Sequence, residues 1–157
     1  MERSKVWHIA FKTNLGLLER NLEGLTDDLA VRQPGPGANS PAWLLAHVYG
    51  ARKGMLRLAG CPQPVEADLD PKAGRGGDGK APSVPFSELV RRFRATDPIM
   101  KACFLAVDDW DQMVKNPGLG VEQPLEQVIA FMYMHESYHL GQIGLARKML
   151  GLPGAVA

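Results

Sequence analysis

Apolar residues recur at helical spacing in four blocks of this sequence, and this pattern limits the fold more than any other feature. Steps of three and four residues place them on one face of an amphipathic helix. The first block contains Phe11, Leu15, Leu18, Leu22 and Leu25. The second begins at Asn39-Ser40-Pro41, a polar cap followed by a proline suited to the first helical turn, and ends near Gly60. Each block predicts a helix that buries one face.

The third and fourth blocks complete the set. The third carries Phe86, Leu89, Val90, Phe93, Met100, Phe104 and Val107. Pro98 lies within it and predicts a kink or a break, because proline lacks the N–H that a helix interior uses. The fourth begins around Glu122-Gln123-Pro124 and ends at Gly151-Leu152-Pro153-Gly154, a strong terminator. No segment alternates apolar and polar residues with β-branched enrichment, so no sheet is expected. We predict an all-α four-helix bundle that forms one domain over residues 1–157.

Composition excludes several classes of partner. The chain has 157 residues, of which 45% are hydrophobic and 22% charged, so it can bury a core. A net charge of +1 without a basic run argues against nucleic acid. No stretch reaches the roughly 20 apolar residues of a membrane span and no signal-peptide core is present, so we expect no membrane partner and a cytoplasmic location. The two cysteines, Cys61 and Cys103, lie in no CxxC motif and predict reduced thiols.

Residues 61–83 are rich in proline and glycine and predict a long connection between the second and third helices. Such a segment could act as a mobile lid over a site. A solvent-exposed crossover is the favoured interpretation, because four-helix bundles often contain long connections and composition alone does not show function.

Two histidines on the fourth predicted helix, His135 and His139, are spaced for metal binding. Residues four apart on a helix have Cβ atoms about 5–6 Å apart, so both rings can reach one ion. A catalytic zinc-type site normally uses three protein ligands and leaves a position open. His47, on the apolar stripe of the second helix, is the candidate for the third, although a lone histidine on such a stripe is more often a core residue. Three converging imidazoles are costly to bury unless a metal takes a ring nitrogen from each, so we predict a divalent metal ion on His47, His135 and His139.

The same run offers a second interpretation, since His135-Glu136 followed by His139 fits the HExxH pattern of zinc proteases, in which the glutamate is the general base. This interpretation ranks lower, because no His, Asp or Glu follows His139 to supply a third ligand and no sheet edge is predicted to align a peptide. One residue of helix turns Glu136 by about 100° from the line of the histidines. We expect a surface position or an indirect role behind a ligand, and Glu136 stays a weak candidate for catalysis.

Other side chains are expected near the predicted site. Counting back from Phe11 places His8 on the inward stripe of the first helix, where a pocket or core role is favoured over a fourth metal ligand. Leu15 occupies that stripe, so Asn14 is expected only to edge the cavity. Tyr138 could line the pocket or be an ordinary interface aromatic, whereas Met132 is expected in the core.

Two separated motifs resemble the DinB/YfiT-like family of metal-dependent enzymes. The segment from Asn39 to His47 is similar to that family's helix-two signature, which ends in a metal histidine. The segment from His135 to Ile143 is similar to its helix-four signature, and the tail over residues 144–154 and the four-block layout also match. The resemblance implies an up-down-down-up bundle, a three-histidine site of His47, His135 and His139 that holds zinc or nickel, and frequent homodimers.

The chemistry of such a site is limited by its parts. A divalent ion on three neutral imidazoles keeps its charge and lowers the pKa of a bound water or thiol. Characterised relatives in the resembled family use low-molecular-weight thiols, which makes a thiol S-transferase with a small-molecule substrate the sharpest hypothesis, followed by metal-assisted hydrolysis. A non-catalytic metal-binding stress-response module is the alternative from another class. The donor set alone accepts zinc, nickel, copper or iron.

Overall fold

The computed structural model describes residues 2–61 and 77–155 of the chain. Its four long helices are α1 (Arg3–Leu22), α3 (Pro41–Leu58), α4 (Phe86–Leu105) and α5 (Leu125–Met149). A short helix, α2 (Asp27–Ala30), follows α1, and the strands β1 (Met113–Lys115) and β2 (Glu122–Pro124) precede α5. Residues 62–76, most of the predicted long connection, lie outside the described residues, so the choice between lid and crossover stays a prediction.

The long helices form an up-down-down-up bundle. Helices α1 and α3 lie on one diagonal, and each packs against both α4 and α5. Trp7 hydrogen-bonds to Glu126, and Asn21 hydrogen-bonds to the Leu140 carbonyl. Residue numbers therefore increase in the same direction along both helices, so α1 and α5 are parallel. Side-chain contacts between α1 and α4 join an earlier residue of one helix to a later residue of the other, so these helices are antiparallel. Contacts between α3 and α5 follow the same order, so these two helices are antiparallel as well. The predicted all-α bundle is confirmed.

Local signals set the ends of the two helices that carry the candidate site. The Ser40 hydroxyl accepts a 3.1 Å hydrogen bond from the Trp43 N–H at the start of α3, as its capping position predicts. At the end of α5, Gly151 has a φ of +90° and the Leu152 N–H bonds back to the Arg147 carbonyl. This is a Schellman motif, which glycine favours because it has no Cβ to resist the left-handed conformation.

The β1–β2 hairpin makes the expectation of no sheet wrong at this point. Its strands pair antiparallel, with Met113 opposite Pro124 and Lys115 opposite Glu122. Each strand has three residues, too few to display the alternation on which the prediction depended. Because the hairpin includes the predicted start of the fourth helix, α5 begins only at Leu125.

Two helical predictions also need correction. Helix α4 passes through Pro98 without a break, so the predicted break is wrong and the kink stays a prediction. The stripe that α1 buries differs from the apolar stripe read from the sequence, since Leu15 is only partly buried. The buried residues of α1 are Phe11, Asn14, Leu18 and Asn21. Both asparagines are satisfied by hydrogen bonds to α5, which offsets the cost of burying an amide and could not be inferred from periodicity.

Cys61 and Cys103 form a disulfide, with their Cα atoms 5.5 Å apart, so the prediction of two reduced thiols is wrong. The cysteines are 42 residues apart in sequence and belong to no spacing motif. Only the packing of the end of α3 beside the end of α4 brings them together.

Two apolar clusters fill the bundle, and a polar layer lies between them. Phe93 belongs to the first cluster and Phe11 to the second. The guanidinium carbon of Arg52 lies 3.9 Å from the centroid of the Phe93 ring and 5.6 Å from that of Phe11, so Arg52 spans both. The middle of the bundle is therefore polar. Within the two described ranges, no helix has the combination of length and apolar character needed to cross a membrane.

Candidate metal centre

Three histidines from two antiparallel helices converge between α3 and α5. His47 comes from α3, and His135 and His139 come from successive turns of α5. The Nε2 atom of His135 lies 3.1 Å from Nε2 of His47 and 3.1 Å from Nε2 of His139. All three residues are partly buried, and their ligand atoms lie within 4.8 Å of one another. The cluster that the sequence predicted is assembled, and it could hold a metal ion.

The donor set fits a divalent cation bound through the Nε2 atoms. Nitrogen ligands lie about 2.0–2.1 Å from zinc, so neighbouring ligand nitrogens are roughly 2.9–3.4 Å apart in six- or four-coordinate geometry. Both 3.1 Å separations lie inside this range. The Nδ1 atom of His135 is buried with no hydrogen-bond partner among the described residues, so the polar contacts of this ring are made at Nε2. Three protein ligands would leave further positions open for a substrate.

Gln142 fixes the tautomer of His139. Its Oε1 lies 2.7 Å from Nδ1 of His139 and can only accept a hydrogen bond, so Nδ1 carries the proton and Nε2 presents its lone pair. The Nε2 of Gln142 donates in turn to the Tyr138 hydroxyl at 3.2 Å. Partners of this kind orient ligand histidines in metal sites. The sequence reasoning missed Gln142, although its position three residues after His139 was an available signal.

Aromatic rings hold the cluster from two sides. The Trp43 indole stacks on the His47 imidazole, with centroids 5.0 Å apart and planes within 6° of parallel. Tyr138 meets His139 edge to face at 5.2 Å, and it is 61% exposed, which places it at the solvent side of the cluster. The parallel stack limits rotation of the His47 ring. Trp43 therefore orients one histidine of the cluster from α3, as Gln142 orients one from α5.

Burial favours the neutral, metal-binding form of His135 and of His139. Desolvation, with smaller contributions from His139 and His47, lowers the pKa of His135 to about 4. Desolvation also lowers the pKa of His139, although the hydrogen bond that His139 donates to Gln142 opposes the shift. A neutral imidazole offers a free lone pair at pH 7, so no proton has to be displaced from His135 when an ion binds.

The structure does not bring His8 into this cluster. Its Nε2 lies 3.5 Å from Oδ1 of Asp97 on α4, and it is absent from the group of potential metal ligands found among the described residues. The alternative of a fourth histidine ligand is therefore unsupported. Met132 is 6% exposed and packs in the second apolar cluster, as predicted.

Glu136 lies in the core with 2% exposure, so the expected surface position is wrong. Its Oε2 accepts a 2.5 Å hydrogen bond from Nε of Arg52, and its Oε1 accepts from Nη2 of Arg52 at 2.7 Å and from Asn14 at 3.2 Å. Rotation along α5 does turn Glu136 away from the histidines, but toward helices that cover that face. The sequence reasoning missed Arg52, whose signal is a charge four residues from each of Val48 and Leu56, both fully buried.

An open cleft adjoins the cluster and shares Gln142 with it. The cleft has a volume of about 200 Å³, and the segment over residues 34–39 forms one wall. Leu44, Leu145 and Met149 supply apolar surface, and Asn39 and Gln142 supply amides. Apolar walls with a few polar groups are typical of sites for small organic molecules.

A four-helix bundle with a three-histidine cluster between two antiparallel helices defines the class of this protein. A sequence model of the DinB superfamily matches residues 10–143, a range that contains all three histidines, and the chain belongs to the DinB superfamily. A crystal structure described as a conserved protein from Enterococcus faecalis is similar, with a TM-score of 0.71 and 14% identity over 96% of this chain and 98% of that chain. At that identity the likeness shows the fold alone. Comparison with curated proteins gives no match.

Proposed function

We propose that this protein is a divalent-metal-dependent thiol S-transferase, which joins a low-molecular-weight thiol through its sulfur to an electrophilic small molecule. The observation that carries the proposal is the convergence of three Nε2 atoms, with two separations of 3.1 Å suited to ligands of one ion. Three histidine ligands and an open position are the arrangement of catalytic rather than structural zinc sites. Zinc or nickel is the ion we propose.

The composition of the cluster favours a thiol over water as the nucleophile. The group of ligand-type residues at this position consists of three histidines and contains no carboxylate. Glu136, the nearest acidic residue in the motif, has both oxygens engaged by Arg52, so it is not free to take a proton from water. A thiol has a pKa of about 8.5 against 15.7 for water and needs less assistance to ionise. The same engagement of Glu136 speaks against a zinc protease.

The thiol has to come from the substrate. Cys61 and Cys103 are joined to each other, and no described cysteine is free. When bound, the ion would lower the pKa of the incoming thiol, so that its proton would pass to solvent and its sulfur would form the S–C bond as the leaving group departs with its electron pair. The protein's own residues orient His139 through Gln142 and His47 through Trp43, and the adjoining cleft offers apolar surface to the rest of the substrate.

A homodimer is part of the proposal. The outer face of α5 exposes apolar side chains at helical spacing, each more than half exposed, and such faces mark association surfaces more often than isolated residues do. These side chains are Met134, Tyr138, Leu145 and Met149.

The test is an activity screen on protein loaded with one equivalent of zinc or nickel. Bacillithiol, mycothiol and glutathione are each supplied with a panel of electrophiles, and loss of the free thiol is followed. Activity should disappear in His47→Ala and persist in His8→Ala, a matched control because His8 lies outside the cluster.

The outcomes separate the alternatives. Hydrolysis of an ester or amide without added thiol would replace the transferase by a metal-assisted hydrolase. If the metal-loaded protein turns over none of these substrates, the non-catalytic metal-binding module is the hypothesis that remains. Equal activity in the His47→Ala and His8→Ala variants would remove the cluster from the reaction.

A further inference from the structure

A polar layer crosses the middle of the bundle beside the histidine cluster. Arg52 and Glu136 form a two-pronged ion pair with side chains 1% and 2% exposed. Arg52 follows His47 by five residues on α3, and Glu136 follows His135 directly on α5. The pair therefore joins the two helices that supply all three histidines, at the level where those histidines meet.

We propose that the Arg52–Glu136 pair is a positioning device that holds α3 and α5 in the register at which the three Nε2 atoms converge. The inference depends on the proposed metal function, because it assigns the pair a role in ion affinity. Neither residue touches the ion or the substrate. Both act through the backbone of the helices that carry the ligands.

The geometry of the contact supports this role. Two nitrogens of one guanidinium meet two oxygens of one carboxylate at 2.5 and 2.7 Å, an arrangement with a fixed direction as well as a fixed distance. Sliding α3 along α5 by about 1 Å would lengthen both hydrogen bonds in an interior where no water can replace them. The apolar contacts on either side have no such directionality.

The surroundings immobilise the pair itself. Nη1 of Arg52 donates to the Thr96 hydroxyl of α4 at 2.8 Å, and the guanidinium lies over the Phe93 ring. Asn14 of α1 donates to Glu136 and accepts from the Ser137 hydroxyl at 3.1 Å. All four long helices thus contribute to one hydrogen-bonded layer. This layer holds Arg52 and Glu136 in place, and these two residues set the register of α3 and α5.

Stability alone does not account for the pair. Replacing a buried ion pair by apolar residues of similar volume is often neutral or stabilising, because desolvation of both charges offsets their attraction. A metal site, in contrast, requires ligands held within about 0.5 Å of their working positions. A directional contact beside the ligands meets this requirement where an apolar contact does not.

The experiment compares folding with metal affinity in the Arg52→Met/Glu136→Leu double variant. We expect a melting temperature equal to or above that of the wild type, zinc affinity 10–100-fold weaker in chelator competition, and an altered Co²⁺ absorption spectrum. Arg52→Lys keeps the charge and loses the fork, and we expect an intermediate loss of affinity. Arg147→Met is the matched control: this buried arginine bonds to the Arg20 and Asn21 carbonyls, two turns beyond His139. It should lower the melting temperature and leave zinc affinity unchanged.

Unchanged zinc affinity and an unchanged Co²⁺ spectrum in the folded double variant would overturn the positioning role. If the double variant does not fold, the same two results in Arg52→Lys would overturn it. Absence of metal binding by the wild type would instead overturn the proposed function. The positioning role is then decided on the metal-free protein by NMR of the imidazoles. The His47 ring centroid lies 5.0 Å from that of His135 and 4.6 Å from that of His139, so we expect Overhauser contacts between these rings in the wild type and weaker contacts in the Arg52→Lys variant. Identical spectra would contradict the positioning role.

Discussion

His135 and Glu136 are adjacent on α5, yet they belong to different environments. His135 is partly buried between α3 and α5, where its Nε2 meets two other imidazoles. Glu136 is in the core with 2% exposure and pairs with Arg52. A rotation of about 100° along the helix separates the two environments. The comparison shows that the HExxH pattern in this chain does not bring a base to the ion, because the glutamate is part of the bundle interior.

The two sites also treat charge differently. In the histidine cluster, burial lowers the pKa of His135 and of His139, which favours their neutral forms and leaves their lone pairs available to a cation. The Arg52–Glu136 pair brings its own two charges and satisfies them within the protein. Removing a residue from the cluster should therefore cost metal binding with little loss of stability, whereas leaving one partner of the pair unpaired should cost stability and also weaken metal binding.

Loss of a ligand should have the largest effect on the cluster. His47→Ala leaves two ligands on α5, and we expect metal affinity to fall by more than about 100-fold, beyond what changes behind the ligands cost. Elemental analysis should change from one ion per chain to none. His8→Ala should retain its ion, and equal content in both variants would mean that His47 is not the third ligand.

Breaking the pair should have the largest effect on stability. Glu136→Gln leaves Arg52 buried with an uncompensated charge, and we expect the free energy of unfolding of the metal-free protein to fall by about 3–5 kcal/mol. In the metal-free protein, His135→Gln alone should lower the free energy of unfolding by about 1 kcal/mol or less, because the His135 ring is partly buried and its Nδ1 has no described partner. Urea denaturation of both variants measures the difference, and equal losses would erase the contrast between the two sites.

A change behind a ligand should be smaller. Gln142→Leu removes the acceptor that holds Nδ1 of His139, and we expect a 10–100-fold loss of zinc affinity with little change in stability. Gln127→Leu is the matched control, since Gln127 is exposed on the same helix and bonds to Gln123. If both variants bind zinc as tightly as the wild type, Gln142 does not orient the ligand.

Acid should weaken the metal-free protein through His135. Its pKa is about 4 in the folded chain and about 6.5 when unfolded, so the unfolded chain takes up this proton at a higher pH. The free energy of unfolding is then unaffected by His135 well above pH 6.5, falls as the pH drops through this window, and stops falling below about pH 4. Urea denaturation at several pH values should show a shallower decline in His135→Gln. Parallel declines would assign the acid sensitivity to other groups.

The smallest effect is expected at an exposed ion pair. Glu19 and Arg94 are joined by two hydrogen bonds of 2.7 and 2.5 Å, but their side chains are 40% and 53% exposed. Glu19→Gln should cost less than about 1 kcal/mol, and less again in high salt. A loss as large as that of Glu136→Gln would show that burial is not what distinguishes the two pairs.

Sequence reasoning found the features that local spacing encodes. His135 and His139 share a helix face, and Ser40 marks the start of α3, so the histidine cluster and the bundle could be predicted. It failed where partners are distant in sequence. The Arg52–Glu136 contact joins residues that are 84 positions apart in the sequence, and helical periodicity gives no information about such a contact. The rotation per residue of a helix predicted that Glu136 points away from the histidines. It did not show that α1 and α3 cover that face of α5.

The most direct test of the central claim is X-ray absorption spectroscopy at the zinc edge on the loaded protein without added thiol. Three imidazole nitrogens at about 2.0–2.1 Å, with a light oxygen scatterer in addition, are the predicted result. In His47→Ala the imidazole contribution should fall to two. A zinc shell with fewer than three imidazoles in the wild type, or one unchanged by His47→Ala, would contradict the assignment of His47, His135 and His139 as the metal centre.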